Sequence, residues 1–202
     1  MFILCVKPVS SQADRALAAI QDSLFAQTAS PAFLALPPHA VVDLSVSLPS
    51  VHLLDAVPRI GAVAEDGGRS GEPDAEHFST GQIAAEGRKL YYLPQPQNRL
   101  IEVWERVAGE FQAKPGADRM LAARQFGAAR PALYLGETES DATLDHVRLD
   151  EPLLGSVGAI RSYAIAVIRI ECRAGGRWWE QMRWTIVYER ELGHRKRRSE
   201  RE

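Results

Sequence analysis

The last third of the chain carries the pattern that restricts its fold most strongly, two long strand-like segments joined by a glycine-containing turn. Residues 163–172 are strongly apolar, and residues 177–189 return after Ala174-Gly175-Gly176. Two such segments with a short turn between them predict a β-hairpin. On the return strand, alternation predicts one mainly apolar face, formed by Trp178, Glu180, Met182, Trp184, Ile186 and Tyr188. This end of the chain therefore requires an antiparallel sheet with one apolar face.

Short strands and amphipathic helices alternate along the rest of the chain. Period-2 alternation and short apolar runs predict strands, at residues 2–6, 40–48, 78–83, 89–93 and 131–135. Apolar residues at helical spacing predict helices at residues 12–27 and 100–111, the first of them capped by Ser10 or Ser11. This order predicts an α+β fold of mostly antiparallel strands with helices packed outside, arranged as two similar lobes. We expect residues 1–193 to form one such two-lobed domain.

Charge and composition exclude several classes of protein. The formal net charge of −2 over 202 residues argues against a general nucleic-acid coat or a membrane-surface protein. No apolar run reaches the roughly 18 residues of a membrane helix, and the apolar N-terminal stretch is too short for a signal peptide. Cys5 and Cys172 form no paired motif, as expected for a cytoplasmic protein. Residues 64–76 are predicted to form an exposed loop, and residues 194–202 a basic, disordered tail.

The order of these elements resembles a known family of phosphoesterases. The segments that carry the resemblance are Phe2-Ile3-Leu4-Cys5-Val6-Lys7-Pro8, residues 42–48, the helix at 100–111, the strand at Pro131, and Val167-Ile168-Arg169-Ile170 with Trp184-Thr185-Ile186-Val187. They cover nearly the whole chain and are similar in order and hydrophobic spacing to the two-histidine phosphoesterases, the 2′-5′ RNA ligase-like (RNA 2′,3′-cyclic phosphodiesterase) superfamily. The resemblance implies two pseudo-symmetric lobes around a central cleft. Each lobe presents one His-x-Thr/Ser motif to this cleft, where an RNA or nucleotide phosphate binds.

Both motif positions are substituted in this chain. They fall on Asp43-Leu44-Ser45 and Ala132-Leu133-Tyr134, and alternation places the first and third residue of each on the cleft face. Ser45 keeps a hydroxyl, and Tyr134 supplies one from a longer side chain. Asp43 can accept a proton, but a carboxylic acid with a typical pKa of about 3.9 is a poor proton donor at pH 7. The resemblance therefore implies a degenerate protein that binds an RNA or nucleotide phosphate and is weakly catalytic or not catalytic.

Two histidines elsewhere support an alternative, an active 2′,3′-cyclic or 2′-5′ phosphodiesterase with relocated acid and base groups. His39 follows Pro38, although the position two residues on is Val41 and carries no hydroxyl. His146 lies in the acidic segment 136–150, which is predicted to be irregular. Catalytic groups are recognised by geometry and not by their order in the chain, so either histidine could reach the cleft. The simpler interpretation is that both are solvent-facing loop residues.

The sequence predicts no cofactor and no metal site. It has no glycine-rich phosphate loop and no nucleophile elbow, and its histidines and carboxylates lack metal-ligand spacing. Trp179, beside Arg177 on the polar face of the last hairpin, could stack a base or contact another protein. A non-catalytic protein-interaction module is therefore a third hypothesis, and none of these patterns specifies an oligomeric state.

Overall fold

A computed structural model of the chain describes residues 2–45, 81–95, 97–112, 131–140, 144, 146–160, 162–171 and 182–192. For residues 43–45 and 110–112 it describes the backbone alone. The described elements are β1 (Phe2–Pro8), α1 (Ser11–Thr28), α2 (Ala32–Ala35), β2 (Ala40–Ser45), β3 (Gln82–Glu86), β4 (Lys89–Leu93), α3 (Asn98–Gln112), β5 (Leu133–Glu137), α4 (Glu151–Gly155), β6 (Tyr163–Glu171) and β7 (Arg183–Glu191). The predicted α+β class is confirmed. The predicted loop at 64–76, the tail at 194–202 and Trp179 lie outside the described residues.

The described strands form two antiparallel sheets. The larger has the order β2-β1-β6-β7, and the smaller has the order β3-β4-β5. β1 and β6 are the inner strands of the larger sheet, so both carry continuous apolar runs and not alternating ones. β2 and β5 are edge strands of different sheets. Their position at two edges lets one sheet contact the other.

The first helix forms where capping and apolar spacing coincide. Ser10 is its N-cap, and the Ser10 Oγ accepts a hydrogen bond of 3.3 Å from the Ala13 N–H. Leu17, Ile20 and Leu24 lie on one face and are fully buried. The helix ends at Ala29, which adopts the left-handed conformation with φ 54°. Its buried face covers one side of the larger sheet.

Two apolar clusters lie on opposite faces of the larger sheet. The first joins α1, α2 and α3 to both sheets, and its fully buried members include Val6, Leu17, Leu24, Phe33, Leu100, Leu133 and Ile165. The second lies on the other face of the larger sheet, and it consists of Ile3, Cys5, Leu36, Val41, Ala166, Ile168 and Ile170. Burial raises the pKa of the Cys5 thiol to about 12, so this cysteine stays uncharged at neutral pH.

The last strand departs from the predicted alternation. Val167 pairs with Tyr188 and Ile168 with Ile186, so Val187 is an inserted residue, a β-bulge. The bulge sends Tyr188 to the first apolar cluster and Ile186 to the second. The prediction that these residues share one face is therefore wrong. Alternation also places Trp184 on the apolar face, but 40% of its surface is exposed on this edge strand.

A close approach of two backbones fixes the position of β5. Gly136 has φ 150°, a conformation that side chains other than glycine rarely adopt. A Cβ atom at this position would lie 2.5 Å from the Phe33 Cδ1 atom and 2.7 Å from the Phe33 Cα atom. Gly136 therefore lets α2 pack directly on β5.

Candidate functional site at the contact between the two sheets

The two sheets touch at the start of β2, where an isolated antiparallel bridge joins His39 to Tyr134. The Tyr134 N–H donates a hydrogen bond of 2.7 Å to the His39 carbonyl oxygen. We call this region, with Tyr91 and Ala132 packed beside it, the β2–β5 junction. It brings together the two strands on which the sequence predicts the substituted motifs.

His39 is held as a neutral ring inside the β2–β5 junction. Its Nδ1 atom lies 2.7 Å from the carbonyl oxygen of Pro37. A carbonyl oxygen only accepts, so Nδ1 carries the proton and Nε2 carries a lone pair. Only 1% of the residue is exposed, and burial lowers the pKa of the imidazole from its ordinary value of 6.5. His39 is therefore uncharged at pH 7, and the interpretation of His39 as a solvent-facing loop residue is wrong.

Tyr134 packs between two other rings. Its centroid lies 5.8 Å from that of His39 and 5.8 Å from that of Tyr91, with interplanar angles of 64° and 66°. These are edge-to-face contacts, which aromatic pairs favour. Burial raises the pKa of the Tyr134 phenol well above 10, and the Glu137 charge raises it further. Tyr134 therefore remains a protonated hydroxyl group at neutral pH.

Two polar side chains near the C-terminal end of α1 hold the backbone of the β2–β5 junction. Gln21 is buried, and its Nε2 donates to the carbonyl oxygens of Leu36 at 2.9 Å and Leu135 at 2.8 Å. Ser30 Oγ donates to the Glu137 carbonyl oxygen at 2.6 Å. These bonds attach the chain before β2 and the strand β5 to α1 and to the residues directly after it. Sequence reasoning missed both residues, since a polar residue at one helical position gives no sign of a distant backbone partner.

Asp43 and Ser45 lie on β2, as predicted. Asp43 pairs with Leu4 and Ser45 pairs with Phe2, and an irregularity in the register lies between these pairs and the pair of Cys5 with Val41. The side chains of Asp43 and Ser45 lie outside the described residues. Their orientation toward a cleft stays a prediction.

His146 lies apart from the β2–β5 junction. It is exposed, as the solvent-facing interpretation predicts for this histidine. Its neighbour Arg148 exchanges two backbone hydrogen bonds of 2.8 Å with the side chain of Gln27 on α1. Within the part of the chain that the structure describes, no hydrogen bond or ring contact joins His146 to His39 or Tyr134. Of the two relocated histidines, only His39 lies at the junction.

The sequence around His39 shares one feature with the segment that contains Tyr134. The segments Pro38-His39-Ala40-Val41 and Pro131-Ala132-Leu133-Tyr134 share a proline at the same distance before their strands. This spacing gives a register that differs from the one that places the first motif on Asp43-Leu44-Ser45. In it His39 corresponds to Ala132 and Val41 to Tyr134, whereas the contact in the structure joins His39 to Tyr134.

Comparisons with protein-family models, with curated proteins and with solved structures find no match for this chain. Among the described residues, no group of three or more His, Cys, Asp or Glu side chains could hold a metal ion. Over the same ranges, no helix is both long enough and apolar enough to cross a membrane.

Proposed function

We propose that this chain is a degenerate relative of the two-histidine phosphoesterases that binds an RNA or nucleotide phosphate beside the β2–β5 junction with little or no turnover. The observation that carries the proposal is the contact between His39 and Tyr134. It joins the two strands on which the resemblance places the two motifs. The proposal includes a cleft between two similar lobes, one containing each sheet.

The spacing of the two segments supports this assignment. In the register set by Pro38 and Pro131, His39 takes the first histidine position and Ala132 takes the second. In this register Tyr134 takes the second hydroxyl position, but the first falls on Val41, which has no hydroxyl group. The hydroxyl residue that we assign to β2 is therefore Ser45, further along the strand. One histidine of the pair is kept, and one is replaced by a methyl group.

The loss of the second histidine explains why we propose binding and not efficient catalysis. Cleavage of a phosphodiester needs one group that takes a proton and another that gives a proton to the leaving oxygen. His39 is a neutral base but is almost completely enclosed. Tyr134 is a weak acid, because its raised pKa strongly favours the protonated phenol. Ala132 cannot transfer a proton.

The ligand would then be held by hydroxyl groups and not by two imidazoles. Tyr134 remains a hydrogen-bond donor, and Ser45 is the hydroxyl residue predicted on β2. Asp43 accompanies Ser45 on this strand and would favour ligand groups that donate hydrogen bonds. Arg124, Arg130 and Arg161 are further candidates for phosphate contacts on the sequence, and they lie outside the described residues.

The test measures ligand binding and turnover together. Nucleoside 2′,3′-cyclic phosphates and a short 2′-5′-linked oligonucleotide are added to the wild type, to Ser45→Ala and to His146→Ala. We expect a raised melting temperature without turnover, a smaller rise in Ser45→Ala, and no change in the exposed control His146→Ala. Turnover that disappears in His39→Asn would instead identify an active phosphodiesterase with His39 as its base. The absence of both turnover and a melting shift would reject the nucleotide proposal.

The exposed apolar residues of β7 favour a second candidate, a protein-interaction module. Trp184 is 40% exposed and Val187 is 47% exposed, and both lie on a strand that has one described neighbour. An edge strand offers unpaired backbone groups that another chain can pair with. This candidate predicts that Trp184→Ser abolishes concentration-dependent association in light scattering, and a wild type that scatters as a monomer at all concentrations would reject self-association.

A further inference from the structure

The bridge between β2 and β5 places a titratable ring where the two sheets meet. His39 lies at the start of one edge strand, and Tyr134 lies in the edge strand of the other sheet. The same histidine contributes the backbone oxygen that accepts the Tyr134 N–H and the ring that packs on the Tyr134 side chain. A change in the charge of this one ring therefore acts directly on the contact between the sheets.

We propose that His39 is a proton-operated latch, which holds β2 against β5 while its ring is uncharged and releases the bridge when the ring binds a proton. The proposal rests on the geometry of the β2–β5 junction and does not depend on the ligand proposed above. It assigns to the enclosed histidine a regulatory role and not a catalytic one.

Within the described residues, the His39 ring has no hydrogen-bonded carboxylate that would compensate an added positive charge. Nδ1 already donates to the Pro37 carbonyl oxygen, so an added proton must go to Nε2. A charge in an enclosed site without a partner is strongly unfavourable. The ring can be protonated at low cost only when β2 moves away from β5 and water reaches it.

Two tyrosines and one glutamate are the other titratable residues described near the junction. Tyr134 of β5 and Tyr91 of β4 have pKa values raised by burial and by the charge of Glu137, so they stay uncharged through the acidic and neutral range. Glu137, also of β5, is buried, and its backbone oxygen accepts from Ser30. Of the three rings at the contact, His39 is thus the one whose charge can change near neutral pH.

The direction of the pH effect follows from the protonation states. In the closed junction the pKa of His39 is lowered, whereas in the opened state it returns to its ordinary value of about 6.5. The stability of the closed junction relative to the opened one is therefore greatest above about pH 6.5 and decreases as the pH falls below this value. While only the opened state takes up the proton, the equilibrium constant for opening rises up to about tenfold for each pH unit.

Amide hydrogen exchange tests the latch at single residues. The Tyr134 N–H reports the bridge, and the Leu192 N–H, which donates to the Tyr163 carbonyl oxygen at 2.8 Å, reports the larger sheet away from the junction. Between pH 7.5 and pH 5, we expect the protection of Tyr134 to fall up to about tenfold per pH unit below about pH 6.5, after correction for intrinsic exchange. Protection of Leu192 should stay constant.

Two variants identify the responsible group. His39→Asn keeps an N–H that can reach the Pro37 oxygen but does not titrate, so it should remove the pH dependence at Tyr134. His146→Asn changes an exposed histidine and should retain it. If His39→Asn does not fold, His39→Phe, which keeps a ring against Tyr134, takes its place.

Three results would overturn the latch. The first is constant protection of Tyr134 across the range. The second is an equal fall at Tyr134 and Leu192, which would mean that the whole domain opens and not the junction. The third is a fall that persists in the non-titrating variant, which would assign the effect to another group.

Discussion

The centre of the larger sheet and the β2–β5 junction are held by different kinds of interaction. At the centre, β1 and β6 bury apolar side chains on both faces, with Val6, Ile165 and Ile168 fully enclosed. At the junction, one backbone bridge, two ring contacts and the amide of Gln21 join the elements. The centre is therefore stabilised by its total buried apolar area, whereas the junction depends on individual atoms. Substitutions that remove either buried apolar area or a single polar atom distinguish these two contributions to stability.

The largest loss of stability is expected from a substitution at the centre of the larger sheet. Ile165→Ala removes apolar atoms from a fully buried position in the first cluster and leaves a cavity, so the free energy of unfolding should fall by about 4 kcal/mol. Val187→Ala is the matched control on the exposed edge, and it should cost at most about 0.5 kcal/mol. Denaturant unfolding measures both. Equal losses in the two variants would contradict the assignment of stability to the centre.

The second-largest loss of stability is expected where the backbones of α2 and β5 approach each other beside the junction. Gly136→Ala forces a Cβ atom to within 2.5 Å of Phe33 in a conformation unfavourable to alanine, so we expect a loss of about 3 kcal/mol. Gly87→Ala is the control, because Gly87 also has a positive φ but no atom within 4 Å of the new Cβ. It should lose only about 1 kcal/mol. Thermal unfolding with equal shifts in both variants would show that the Phe33 contact is unimportant.

Loss of the buried Gln21 amide at the junction should lower the free energy of unfolding more than loss of an exposed amide on the same helix. Gln21→Met keeps the length of the side chain but removes the donor to the Leu36 and Leu135 oxygens, which should cost about 2 kcal/mol. Gln12→Met removes one exposed bond to the Ser156 oxygen and should cost no more than about 0.5 kcal/mol. Chemical denaturation compares them, and a neutral Gln21→Met would refute the polar attachment of β5.

The smallest change in stability is expected when one polar atom, the Tyr163 hydroxyl, is removed from the first apolar cluster. Within the described part of the chain, the Tyr163 hydroxyl is buried and has no hydrogen-bond partner. Tyr163→Phe should therefore leave the stability unchanged or raise it by up to about 1 kcal/mol. The melting temperature measures this change. A clear decrease would show that this hydroxyl has a partner and that the centre also depends on individual polar atoms.

Local patterns predicted much of the fold. The apolar run of β1, the capping serine of α1, the strand Lys89–Leu93 and the apolar strand β6 all appear close to their predicted bounds. Each of these signals comes from residues near one another in the chain, where periodicity and capping act directly. The hairpin of β6 and β7 was likewise predicted by its pattern, and its pairing is confirmed for the described residues.

One inserted residue in β7 accounts for the main difference between the predicted fold and the observed fold. Perfect alternation placed Ile186 and Tyr188 on the same face, but the bulge at Val187 sends them to opposite clusters. Nothing in the local sequence marks this insertion, because valine suits a regular strand as well as a bulge. The exposure of Trp184 follows from the edge position of β7, which depends on the strand order of the whole sheet.

The candidate site was predicted only in part. Tyr134 was identified from the second motif, and His39 was identified as an alternative, yet their contact depends on the approach of two edge strands from different sheets. The enclosure of His39 could not be predicted from Pro38 alone, because the ring that packs on it, Tyr134, belongs to the other sheet. Gln21 and Ser30 support the site through backbone oxygens, which carry no sequence signature.

The most direct test of the account measures whether the junction binds the proposed ligand. A nucleoside 2′,3′-cyclic phosphate is titrated into the wild type, Tyr134→Phe and the control Tyr188→Phe, and the melting temperature is recorded. At a ligand concentration of about 100 times the Kd, we predict a rise of about 5–10 °C in the wild type and the control. Tyr134→Phe, which loses only the hydroxyl, should show less than about half of that rise. An equal rise in all three proteins, or no rise in any, would contradict a phosphate site at the β2–β5 junction.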